Sequence, residues 1–253
     1  MESAKVGSLL NELQNLLYSN SNIKNVAESA EKYKNIIIFD INHIDLSNPI
    51  EELPENSSID EISLTKLPAN FNHLMPVEIT ANGSCLMNSL SFIFTATDDF
   101  SIHFRLATLL EMIINYKFYL TQRIFEQDYI YSNSSFNRTT NCNNLEVEYN
   151  KENEYLNELR LISHNYSFCS MVAVHGLASV IKRPIQSIYP PTNIKFLQEI
   201  YCNLIHPRPQ PTLYTEPVHI LWTVTDMSLW NSSFPSPNHF VACFKFNEVI
   251  NFF

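Results

Sequence analysis

The stretch Thr80-Ala-Asn-Gly-Ser-Cys85-Leu-Met-Asn-Ser-Leu90 constrains the fold more than any other, because it fixes where one segment ends and how the next one lies. Asn82-Gly83 is a turn dipeptide. Leu86, Leu90 and Phe94 then recur at four-residue spacing, so a helix with an inward apolar stripe is expected to start at the cysteine. Unpaired N–H groups at a helix start, together with the helix dipole, favour negative charge. Cys85 is therefore expected to lean towards thiolate and to gain nucleophilicity. The backbone amides of Gly83, Ser84 and Cys85 offer donors for a developing oxyanion.

A nucleophile needs a base, and the chain has eight histidines. His239 follows the turn formers Ser236-Pro237-Asn238 and opens the apolar strand Phe240-Val-Ala-Cys-Phe244, so it can project from a strand end. His219 is the rival, but its neighbours Ile220 to Val224 place it in a strand interior. The role expected of His239 is to take the Cys85 proton, hold the thiolate as an ion pair and protonate the leaving amine.

The other cysteines lack this setting. The five cysteines together, Cys85 included, are odd in number with no Cys-x-x-Cys pair and read as reduced thiols rather than a disulfide framework. Cys169 and Cys243 lie in apolar patterns and read as core. Cys202 and His206 have metal-like spacing but no accompanying pair, so no metal is expected.

The turn, the cysteine helix, a helical middle and a terminal His-aromatic strand resemble, in this order, the ovarian-tumour (OTU) family of cysteine deubiquitinases. That family's nucleophile motif reads Asp-Gly-Asn-Cys-Leu-Phe, matched here by Asn82, Gly83, Ser84, Cys85, Leu86 and Met87, and its histidine by His239 before Phe240. The Asn-His-Phe-Val wording is similar to a divergent branch with vertnin-like and transposon-associated members. The resemblance spans roughly residues 75 to 246. It implies an α/β (α+β) fold of the papain-like cysteine protease type, a small central β-sheet flanked by helices. It also implies hydrolysis of isopeptide bonds at the C-terminus of ubiquitin or of polyubiquitin chains, without metal or organic cofactor.

The third catalytic member departs from the family pattern. Many members carry an aspartate three before the cysteine, and others Asp or Asn two after the histidine; here those positions are Asn82 and Val241. Val241 cannot hydrogen-bond an imidazole. Asn82 can orient the ring through its amide oxygen, donate to the oxyanion, or simply occupy the turn. Asp226 and Asn238 stand in reserve. The missing acid also admits a catalytically inactive ubiquitin-binding or scaffold module, and a papain-like peptidase acting on general peptides is a third reading.

Composition bounds the rest. A hydrophobic fraction of 45% over 253 residues supports a sizeable core, and a formal charge of −10 argues against binding through nucleic-acid phosphates. With no membrane-length apolar run and no signal pattern, a cytoplasmic or nuclear monomer is expected. Residues 1–70 read as an extension packing on or leading into a catalytic domain at 71–253. In the extension, Leu9, Leu10, Leu13, Leu16 and Leu17 trace an amphipathic helix, Ile36 to Phe39 a buried strand, and residues 42–67 an acidic surface connection. Downstream, a helix capped by Ser101 is expected to run to about Leu120, with His103, Arg105 and Glu111 as solvated or capping groups. A loop at 131–150, helices at 151–163 and 168–181, and strands at 185–189, 218–224 and 239–246 complete the reading.

Overall fold

The computed structural model describes residues 3–35, 44–50, 52–55, 57–122, 144–208, 215–230 and 237–245. These contain the helices α1 (Ser3–Ser19), α2 (Ile23–Ala30), α3 (Glu61–Leu64), α4 (Cys85–Thr95), α5 (Ser101–Ile114), α6 (Tyr116–Leu120), α7 (Asn144–Ser163), α8 (Met171–Ile181) and α9 (Lys195–Tyr201). The strands are β1 (Leu74–Pro76), β2 (Ile185–Ile188), β3 (Leu204–Ile205), β4 (Val218–Thr223) and β5 (His239–Lys245). They form one mixed sheet in the order β1-β5-β4-β2-β3. The β2–β4 pair is parallel and the other pairs are antiparallel, with Thr223 opposite His239 and Pro76 opposite Cys243. This is the mixed α/β architecture that the sequence led one to expect.

The sheet is covered by a helical layer centred on α4. Leu86, Met87, Leu90, Ile93 and Phe94 are buried, as are the polar Asn88, Ser89 and Ser91 between them, so α4 is enclosed nearly all round. It packs on β5, where the Phe92 ring meets Phe244 edge-on at 5.9 Å. Helix α5 packs against α4 and α8, and α1 lies along α5 and α7 through Val6, Leu9, Leu10, Leu13 and Leu17.

Several boundaries differ from expectation, each for a local reason. Asn115 splits the long helix into α5 and α6, its amide turning back to the Glu111 carbonyl at 3.0 Å. The N-cap of α5 is Phe100, with Ser101 already inside the helix. Helix α8 starts at Met171 because the Ser170 hydroxyl accepts the Val172 N–H at 3.2 Å, a side-chain cap that ends the preceding loop. Helix α7 begins at Asn144, inside the interval expected to be a loop; the rest of that interval, and the strand expected at Ile36 to Phe39, lie outside the described residues.

The acidic connection is tied down rather than free. Ile50 N–H donates to the Ile93 carbonyl at 2.8 Å, and Arg183 donates to the Ser47 carbonyl at 2.6 Å. His103 and Arg105, expected to be solvated or capping groups, are buried.

Candidate active site

Three side chains lock the turn before α4. The Asn82 amide oxygen accepts from the Ser84 N–H at 3.0 Å and from Asn88 Nδ2 at 3.1 Å, while Asn88 Nδ2 also donates to the Thr80 carbonyl at 3.0 Å. Gly83 adopts φ +81°, and a Cβ there would run into the Tyr166 carbonyl, so glycine is required on both counts. Ser84 occupies the N-cap without capping the helix. Its hydroxyl accepts instead from Arg105 Nη2 at 3.2 Å and from the Tyr166 N–H at 3.3 Å.

Cys85 is the first residue of α4, as expected, and only 2% of its surface is exposed. That burial overrides the helix start. Desolvation, with Cys169 nearby, pushes the thiol up to about 11, although the backbone N–H groups of Phe240, Leu86 and Cys85 itself favour the thiolate. The leaning towards thiolate expected from position alone is therefore absent from this closed arrangement.

His239 opens β5 and is buried as well. Burial pulls its imidazole below the ordinary histidine range, with the Asp60 carboxylate and the Ile79 carbonyl acting the other way. Among the described residues its Nδ1 is buried without a hydrogen-bond partner. The fold brings the start of β5 to the start of α4, since the backbone N–H that acts on Cys85 belongs to Phe240, the residue after His239. Among the described residues no hydrogen bond joins the Cys85 thiol to the imidazole.

Asp60 is the charged neighbour that sequence reasoning missed. It caps α3 by accepting the Ser63 N–H at 2.8 Å, and the Ser63 hydroxyl donates to Thr223 Oγ1 at 2.9 Å, directly across from His239. Its position ahead of a short apolar pattern is an N-cap signal, hidden in a stretch otherwise read as surface connection.

The remaining candidates have local duties. Asn82 is engaged in the turn, and of the three proposed oxyanion amides the Ser84 N–H is committed to it. The N–H groups of Gly83 and Cys85 have no carbonyl partner among the described residues. Asp226 is exposed and caps the short helix Met227–Leu229, whereas Asn238 accepts from the Thr225 N–H at 3.1 Å. Val241 is buried in β5. His219 sits in the interior of β4 among His73, Lys245 and Glu216, apart from the Cys85 surroundings.

The family described as "Vertnin, OTU domain" matches residues 76–223, from the end of β1 through β4, so the Cys85 turn lies inside the match and His239 beyond it. Vertnin of Ailuropoda melanoleuca is 24% identical over 182 residues, which is 69% of this chain and 25% of that protein. The chain thus spans about a quarter of the length of the curated relative it matches. Cysteine turn, buried helix and mixed sheet agree with a match of this extent: the chain belongs to the OTU domain family of the Vertnin type.

Proposed function

We propose that this chain is a thiol-dependent deubiquitinase. The observation that supports this most is the meeting of the α4 start with the β5 start, which sets a cysteine on a glycine turn against the residue next to a buried histidine. In the proposed reaction, neutral His239 takes the Cys85 proton and the sulfur attacks the carbonyl carbon joining a ubiquitin C-terminal glycine to a lysine. The negative oxygen that forms is held by the Gly83 and Cys85 N–H groups. Collapse expels the lysine amine, protonated by His239, and leaves a thioester. Water, deprotonated by His239, then releases the ubiquitin carboxylate and the thiol. Asp60 favours the imidazolium that forms twice in this cycle, and Asn82 serves by holding the turn rather than by orienting the ring. The proposal takes the chain as a monomer acting in cytoplasm or nucleus, where its thiols stay reduced.

A second reading has its own support. Cys85 and His239 are closed off from solvent and share no hydrogen bond, as a ubiquitin-binding scaffold that has no use for turnover would allow. Incubation with ubiquitin bearing a C-terminal electrophile separates the two. The enzyme is expected to be captured covalently, with capture lost in Cys85→Ala. Intact binding of ubiquitin without capture of the wild type would establish the scaffold instead, and cleavage of unfolded casein without capture would point to a general peptidase.

A further inference from the structure

Arg105, on α5, is fully buried, yet among the described residues no carboxylate lies within ion-pair distance of it. Its guanidinium donates instead to neutral acceptors on two segments that border Cys85. On the nucleophile turn these are the Gly83 carbonyl at 3.4 Å and Ser84 Oγ at 3.2 Å. On the end of α7 and the connection to α8 they are the Ile162 carbonyl at 3.1 Å, the Ser167 carbonyl at 2.9 Å and Cys169 Sγ at 3.5 Å. Burying an uncompensated cation is costly, and a Leu or Met would fill the space without that cost. What the arginine supplies is a rigid fork that reaches both segments at once.

The connection between α7 and α8 also packs against the residues on either side of Cys85. Tyr166 donates its N–H to Ser84 Oγ, its carbonyl takes the space beside Gly83, and the Phe168 ring stacks on Phe240 at 5.1 Å. Tyr166 adopts φ +62°, an unfavourable conformation for a bulky residue, and the residue is 64% exposed. Little in the local sequence prefers this closed path, so tethers must hold it.

We propose that Arg105 is a positioning residue that clamps the 164–170 connection shut over Cys85 and fixes the direction of the Gly83–Ser84 turn, so that the thiol becomes reachable only when the clamp lets go. The consequence for turnover rests on the deubiquitinase reading; the consequence for thiol access does not.

The test is iodoacetamide alkylation of the whole chain at one mildly alkaline pH, read cysteine by cysteine by peptide mass spectrometry. Cys243, buried in β5 away from the connection, reports global opening. In Arg105→Gln, Cys85 is expected to react at least ~10-fold faster relative to Cys243, because local release exposes it without unfolding the sheet. Ser84→Ala removes the acceptor shared by Arg105 and Tyr166 and is expected to give a smaller rise. Ubiquitin turnover should move the opposite way and fall in both variants, with Arg105→Lys in between. Should Arg105→Gln not fold, the Ser84→Ala ratio decides. An unchanged ratio, or Cys85 and Cys243 rising in step, overturns the clamp while leaving the enzyme reading intact. A wild type inert towards the ubiquitin electrophile overturns the enzyme reading, and the alkylation ratio still judges the clamp.

Discussion

Burial drives both the Cys85 thiol and the His239 imidazole towards their neutral forms, so the closed site holds a proton donor and a vacant acceptor rather than a preformed ion pair. Asp60 favours the charged imidazole, and its removal must therefore lower the imidazole pKa further. In Asp60→Asn the acid limb of the ubiquitin-cleavage pH profile is expected to shift to lower pH, with kcat reduced about 10- to 100-fold. His239→Ala should abolish turnover. Asn82→Ala, which loses the acceptor for the Ser84 N–H and for Asn88, should cost about 1 kcal/mol of stability by urea unfolding and weaken turnover less. Activity of His239→Ala equal to wild type would withdraw the assignment of the base. That Cys85 starts a helix and Gly83 sits in the turn before it was readable in the sequence, because a turn glycine and a helical stripe are local signals. Asp60 was not, since its value lies in α3 docking against Thr223, a contact between segments far apart in the chain.

At the scale of elements, long periodic segments were legible and short ones were not. The apolar stripes of α1, α4, α5 and α8 and the apolar-rich runs of β2, β4 and β5 are local signals. By contrast α3, α9 and β3 span four, seven and two residues and are held by neighbours: Ser63 by Thr223, and β3 by pairing with Ile185 and Gln186. Arg105 was misread because charge suggests solvent, while five acceptors from separate segments make its burial possible. Close contact between α5 and α8 gives a sharper test of packing. A Cβ on Gly176 would lie 2.7 Å from Met112 Sδ and 2.9 Å from Thr108 Cγ2. Gly176→Ala is expected to destabilise by about 1–3 kcal/mol in urea unfolding, since the methionine can yield but the threonine, in a buried helix, cannot easily follow. A neutral or stabilising result would mean that the two helices separate without penalty.

Across the whole molecule, half-buried histidines tie stability to pH. Burial lowers His175 and His219 to about 4, and around His219 the positive fields of His73 and Lys245 add to the effect while Glu216 opposes it. The unfolded chain, with histidines near their ordinary value, binds protons first. The stability they contribute is thus complete above about pH 6.5 and drains away as pH falls towards 4. At pH 5.5 each is expected to have lost about 1 kcal/mol, and His175→Gln should flatten the fall in Tm between pH 7 and 5; a parallel fall in wild type and variant would clear His175 of the effect. The sheet order carries a different consequence. Strand β5, the last of the described strands, lies between β1 and β4 and supplies a neighbour of Cys85. A nascent chain that has not yet emitted residue 239 holds two unzipped strand edges and Cys85 without its histidine neighbour, so, on the deubiquitinase reading, the proposed catalytic pair and escape from sticky, half-built intermediates arrive together as β5 slots home.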